Sequence, residues 1–307
     1  MSTNFTNWGF GADTRRGPEW PTWLALAAVY GAFGAVSWYH AELPGLVLVL
    51  AGGFITAFHG SLQHEALHGH PTRSRWLNEL LVFPTPWLWI PYRVYRRSHL
   101  LHHRDKHITD PIEDPESFYV SAQRWGSIGR PTRALLRANN TLLGRLTIGP
   151  PLAVARLLHS EPKRALAGDH SVYVDWGWHA LSCALILTWV LGVCGMSFWT
   201  YVLAFAYPGL SLALLRSFAE HRAAEKPSQR TVIVEAGPVL SLLFLNNNLH
   251  AVHHAEPGTP WYALPARWRA DRERTLAENG GYYLAGYGEI AWRWLLRAKE
   301  TPAHPFA

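Results

Sequence analysis

Charge is what this chain of 307 residues has least of. Asp, Glu, Lys and Arg make up 16% of it while 49% is hydrophobic, whereas an average soluble domain is about 25% charged. The deficit is local. From Trp176 to Leu215, 40 consecutive residues include no Asp, Glu, Lys or Arg, and one membrane-crossing helix needs only about 20 apolar residues. That run therefore divides into two spans, approximately 176–194 and 197–221, around the small-residue hinge Gly192-Val193-Cys194-Gly195-Met196-Ser197. A second pair, approximately 20–39 and 43–64, is broken at His40-Ala41-Glu42-Leu43-Pro44-Gly45. The expected fold is an all-α integral membrane protein of four transmembrane helices in two hairpins, with a helical cap on one face.

Positive charge is absent from two stretches in particular. None of the 28 Lys and Arg residues lies between Gly17 and Thr72 or between Ala165 and Leu215, so both hairpin tips lack them and every connecting arm has them. Lys and Arg flanking membrane spans are retained on the cytoplasmic side. The arms 65–175 and 222–307 and both termini are therefore expected in the cytoplasm, at a bacterial inner membrane. The net charge of +6 then belongs to one membrane face, and no nucleic-acid recognition motif accompanies it. The first apolar segment follows Arg15 and Arg16 as a signal peptide would. Its length exceeds the usual h-region and no A-x-A-like cleavage site follows, so it reads as a retained helix.

Cysteine is nearly missing. Cys183 and Cys194 fall eleven residues apart on one expected helix, roughly 16 Å along its axis and too far for a disulfide. No iron–sulfur cysteine run and no flavin or nicotinamide fingerprint is present, so a redox reaction here would draw electrons from elsewhere. In the first arm, Pro84, Pro86 and Pro91 prevent a continuous span between Trp76 and Tyr92. The segment is expected to lie at or dip into the interface, with Trp76, Trp87, Trp89 and Tyr92 at headgroup depth and Arg93, Arg96 and Arg97 toward anionic lipid. Ile290 to Leu296 forms an amphipathic piece suited to the surface. No repeat or low-complexity linker divides the chain, which reads as one domain, 1–307.

Histidine is what is there instead. Seventeen are present, and they include His64-xxx-His68, His99-xx-His102-His103 and His250-xx-His253-His254. Chance supplies on the order of 0.05 H-xx-HH patterns in such a chain, and two occur. His64 and His68 share a helical face one turn apart. His99 shares its face with His102 or His103 while the other points in an adjacent direction, so each H-xx-HH cluster could serve two metals. His221, at the inner end of the fourth span, adds a ninth imidazole. Nine exceed the needs of one ion and suit a pair, although imidazole accepts iron, zinc, copper and nickel alike. His70 and His107 lie close enough to the clusters to support them indirectly.

These boxes, their order and their placement after the second and fourth spans resemble the membrane fatty acid desaturase and hydroxylase superfamily. The quoted residues are His64-Glu65-Ala66-Leu67-His68-Gly69 with Asn78 following, His99 to His103 with Asp110-Pro111 downstream, and His250 to His254 before Pro257-Gly258-Thr259-Pro260-Trp261. The resemblance implies a di-iron centre held by His64, His68, His99, His102, His103, His221, His250, His253 and His254. It further implies an O2-dependent oxidation of an unactivated C–H bond, a fatty acyl substrate, and an external ferredoxin-like or cytochrome-type electron donor with its reductase. Some members carry an Asn one turn before the fourth-span histidine, and here Ser217 stands at that place. Hydroxylation or ketone formation is the alternative within the superfamily, and Arg216 with Glu220, one turn apart, permits a smaller polar substrate or simply pairs. His64-Glu65-xx-His68 is also a literal H-E-xx-H, which an intramembrane zinc protease would use. That reading leaves most of the clustered histidines without a task. A soluble carboxylate-bridged bundle lacks its second E-xx-H, and a metal transporter would place its histidines within the membrane.

Overall fold

The computed structural model describes residues 17–103 and 105–307. Arg15 and Arg16 lie outside the described residues. The chain is mostly helical, and the only paired strands among the described residues are the two-residue segments Ile233–Val234 and Tyr283–Leu284, which run parallel. In chain order the first helices are α1 (Trp20–Trp38), α2 (Gly45–Leu67), α3 (Arg75–Leu81) and α4 (Tyr92–His102). The first arm continues with α5 (Ala122–Ser127), α6 (Arg130–Asn139), α7 (Leu142–Thr147) and α8 (Gly149–Leu166). There follow α9 (Ser171–Leu187), α10 (Phe198–Tyr201), α11 (Tyr207–Glu220), α12 (Pro238–Leu243) and α13 (His250–Ala255).

Three helices are long and apolar enough to cross a membrane: Gly45–Leu67, Ser171–Val193 and Phe198–Glu220, each of 23 residues. The expected fourth, α1, is not among them, because Trp20, Pro21, Thr22, Trp23, Gly31 and Gly34 dilute its 19 residues. Its outer face is nonetheless greasy, with Trp20, Leu24 and Trp38 all exposed. The second and third expected spans begin or end a few residues away from their sequence limits. In each of the last two spans a wider π-helical turn interrupts the α-helix, at Thr188–Val193 and Val202–Ala206. Cys183 and Cys194 are both free thiols, the second just beyond the first of these turns.

Two glycines let α2 and the last span approach backbone to backbone. A Cβ on Gly52 would lie 2.4 Å from the Ala204 carbonyl oxygen, and one on Gly209 would lie 2.5 Å from the Thr56 side chain. Small residues at such contacts substitute close van der Waals packing for the hydrophobic drive that lipid does not provide. Gly209→Leu is expected to cost at least the roughly 1–3 kcal/mol typical of overpacking. A lower melting temperature and a smaller monodisperse fraction in detergent are the readouts; a variant as stable as the parent contradicts the close approach.

Between α3 and α4 the chain runs without helix through Pro84, Pro86 and Pro91, as the prolines require. The backbone polar groups of this irregular segment are met by side chains of the surrounding helices. Tyr30 and Tyr201 donate their hydroxyls to Pro84 O (3.0 Å) and Pro86 O (2.6 Å). Thr85 N donates to Ser182 Oγ (2.8 Å), and His179 Nε2 lies 3.1 Å from Leu88 O. The segment is thus sewn into the bundle, which corrects part of the sequence reading. Trp87 is buried within the bundle at 5% exposure instead of facing outward, while Trp76 is exposed at 59%. Arg93 pairs with Glu79, and Arg97 with Asp175 and Glu161, instead of facing lipid.

Candidate metal centre

The H-xxx-H and H-xx-HH spacings become geometry through the helical turn, which brings residues i and i+4 onto one face. His64 lies in the last turn of α2 with His68 capping it; His99 and His102 end α4 with His103 capping it; His250, His253 and His254 fill α13. His221 is the first residue past α11 and leaves the helix in an extended conformation (φ −128°, ψ 150°). Seven of the nine rings are buried, and His103 and His221 are half-buried.

The nine imidazoles sort into two sets, in each of which the potential ligand atoms all lie within 4.8 Å of one another. One holds His64, His68, His99, His103 and His253; the other holds His102, His221, His250 and His254. In the second box the i,i+4 pair His99 and His103 enters the first set and His102 the second. The third box does the reverse, giving the pair His250 and His254 to the second set and His253 to the first. The two sets abut, since the rings of His103 and His254 stack with centroids 4.2 Å apart.

Each set points nitrogen at nitrogen. In the first, His103 Nε2 lies 2.9 Å from His99 Nε2 and 3.1 Å from His253 Nε2. In the second, His221 Nε2 lies 2.9 Å from His102 Nε2 and 3.1 Å from His250 Nε2, which is 3.1 Å from His254 Nε2. The outward nitrogens decide what these contacts mean. His99 Nδ1 faces Glu116 (3.2 Å), His102 Nδ1 faces Asp114 (3.0 Å), and His221 Nδ1 faces Arg230 O (3.3 Å). His250 Nδ1 meets Asn247 Oδ1 at 3.2 Å and Glu220 Oε1 at 3.3 Å. A ring whose Nδ1 donates outward turns a bare Nε2 lone pair inward. Lone pairs converging on a common centre call for a cation. His64 Nε2 and both ring nitrogens of His68, buried without hydrogen-bond partners, repeat the demand. The residues therefore fit a pair of metal ions.

Burial, followed by repulsion between neighbouring imidazoles, holds His99, His103, His250, His253 and His254 well below the ordinary histidine value. These rings are neutral at physiological pH, the state in which imidazole binds metal. Burial works to lower His102 as well, but the hydrogen bond and charge of Asp114 carry it up to about 9.

His70 and His107 join neither set, and His70 pairs with the buried Glu19 at 2.8 Å. Asn78 staples the loop after the first box, accepting from Thr72 N and donating to Thr72 O. Ser217 donates to Leu214 O at 3.3 Å. Arg216 and Glu220 form a mutual ion pair of 2.8 Å. Glu65 accepts the Trp261 N–H at 3.2 Å and belongs to neither set, so it is not poised as the base an H-E-xx-H protease requires. Asp114, Glu116 and Asn247 were not identified from sequence as supports of the rings.

A cavity of about 550 Å³ reaches the second set, with His221, Glu116 and Glu220 on its wall and Trp87, Leu210 and Phe244 among its apolar lining. A sequence profile of the fatty acid desaturase family matches residues 41–287. No curated protein matches the chain.

Proposed function

The chain belongs to the fatty acid desaturase family, and from that premise we propose that it is a membrane-bound di-iron oxidoreductase that uses O2 to desaturate an acyl chain. The observation carrying this reading is the division of nine imidazoles into two abutting sets. His64, His68, His99, His103 and His253 would hold one iron and His102, His221, His250 and His254 the other. Iron so bound supplies the activation of O2 that no side chain here can perform. The protein's own part is to fix the rings, seat the substrate and keep water out. Asp114, Glu116, Asn247 and the Arg230 carbonyl hold four rings by their outer nitrogens. The cavity offers Trp87, Leu210, Leu214 and Phe244 to an acyl chain beside His221, and its size lies within the usual range for small-molecule sites.

Four crossings follow if α1 spans alongside α2, which puts both termini and the metal centre on the cytoplasmic side of a bacterial inner membrane. Electrons come from an external ferredoxin-like or cytochrome-type donor. Purified iron-loaded protein, given a reductase system and a lipid extract, is expected to yield a product two hydrogens lighter by mass spectrometry. Gain of one oxygen instead identifies a hydroxylase, and no O2-dependent product in an iron-replete preparation overturns the oxidation reading.

A further inference from the structure

We propose that Arg145 anchors a carboxylate on the substrate, in the part of the 550 Å³ cavity lined by Phe118 and Phe218. This rests on the reading of that cavity as the substrate site and names the end group the site takes.

Arg145, in α7, is 3% exposed and lines the cavity, yet among the described residues no carboxylate pairs with it. Its Nε donates to Asn139 O at 3.1 Å, and its Nη1 is buried without a hydrogen-bond partner. The guanidinium carbon lies 3.6 Å from the Phe118 ring centroid and 5.7 Å from that of Phe218. Those faces orient a cation and keep it dry. Three other arginines of the wall are already paired with carboxylates. Arg97 pairs with Asp175 and Glu161, Arg164 with Glu161 and Asp169, and Arg216 with Glu220. Arg156 is exposed and donates to Ser117 O at 2.7 Å.

Lys299 adds to the positive field instead of relieving it. Its Nζ donates to Phe218 O (2.9 Å) and His221 O (2.5 Å). The acids on this part of the wall are occupied otherwise: Glu220 by Arg216, and Glu300 by the Ala223 N–H at 3.4 Å. A buried charge lacking its partner is costly, and a bound counter-ion removes that cost. A guanidinium offers a carboxylate two parallel N–H groups. A carboxylate brings a single negative charge, whereas a phosphate dianion would bring more of it near Glu220 and Glu300. The substrate so described is a free acid with an apolar body; an ester-linked lipid has no carboxylate to offer.

Binding to the full-length iron-loaded protein in detergent tests this, with palmitate, methyl palmitate, hexadecanol and hexadecyl phosphate as probes. Palmitate is expected to bind roughly 10- to 100-fold more tightly than the ester or the alcohol, the range a charge-assisted hydrogen bond gives. Arg145→Met is expected to erase that preference while iron content stays as in the parent, and Arg145→Lys to keep part of it. Equal binding of acid and ester, no binding of palmitate, or a preference surviving in Arg145→Met overturns the proposal. A stronger preference for hexadecyl phosphate overturns the carboxylate assignment. Should Arg145→Met not fold, the comparison of acid with ester in the parent protein decides. Iron content and oxidation of the methyl ester are measured separately: palmitate selection in a protein that holds no iron leaves Arg145 its role and removes the oxidase reading.

Discussion

Replacing His102 with alanine is expected to lower bound iron from two ions per chain toward one and to abolish O2-dependent product formation, with membrane insertion unchanged. The asymmetry of the two ligand sets makes this the sharper choice among the histidines. His102 belongs to the four-membered set, and its removal leaves His221, His250 and His254. Removing His99 from the other set leaves four rings. His102→Ala should therefore lose its metal more completely than His99→Ala, although both boxes look alike in sequence. The cost lies in the site and not in the core, because the outer partner Asp114 keeps its bonds to Thr109 N and Glu116 N. Iron analysis of both variants decides the matter. Two ions retained in His102→Ala remove that ring from the ligand set, and equal losses in the two variants contradict the five-and-four division.

What the sequence disclosed about this site was mostly local in origin. An i,i+4 pair on a helix is a property of a few residues, so His64 with His68 could be matched without knowing the fold. Which member of a His-His doublet joins which set could not. That depends on the rotation of α4 and α13 about their axes, and tertiary packing fixes it. The same distinction separates the spans that were legible from the features that were not. A charge-free run of 40 residues declares itself by composition, whereas Trp76 and Trp87 carry the same side chain and end up 59% and 5% exposed. Hydroxyls of Tyr30 and Tyr201, donated from other helices, sew the proline-bearing segment inward together with Ser182 and His179. Arg145 illustrates the limit most plainly. Its aromatic walls come from positions 118 and 218 and its cationic neighbour from 299, separations over which no periodicity extends.

Asp114→Ala carries the second large effect, and it acts on the chemistry indirectly, through His102 and Glu116. The Asp114 carboxylate is 2% exposed and serves three groups at once: His102 Nδ1 at 3.0 Å, Thr109 N at 2.8 Å and Glu116 N at 2.8 Å. The first bond fixes the tautomer and the angle at which His102 presents Nε2. The second holds Thr109 at a positive φ of 70°, a conformation uncommon for a residue with a side chain. The third orients the turn whose Glu116 faces His99 Nδ1 at 3.2 Å. One carboxylate thus reaches both imidazole sets, one through His102 and the other through Glu116. Loss of an outer carboxylate of this kind lowers metal affinity or activity about 10- to 100-fold, and the orphaned buried N–H groups add destabilisation of about 1–3 kcal/mol each. Asp114→Asn separates the two consequences, since an amide oxygen can still accept from one backbone N–H while it cannot supply the charge that favours a cation at His102. The asparagine variant is expected to melt closer to the parent than the alanine variant does, yet to bind its second iron about as weakly. If Asp114→Asn instead recovers full metal affinity, the carboxylate serves only as a peg for the loop, and the tuning of His102 lies elsewhere.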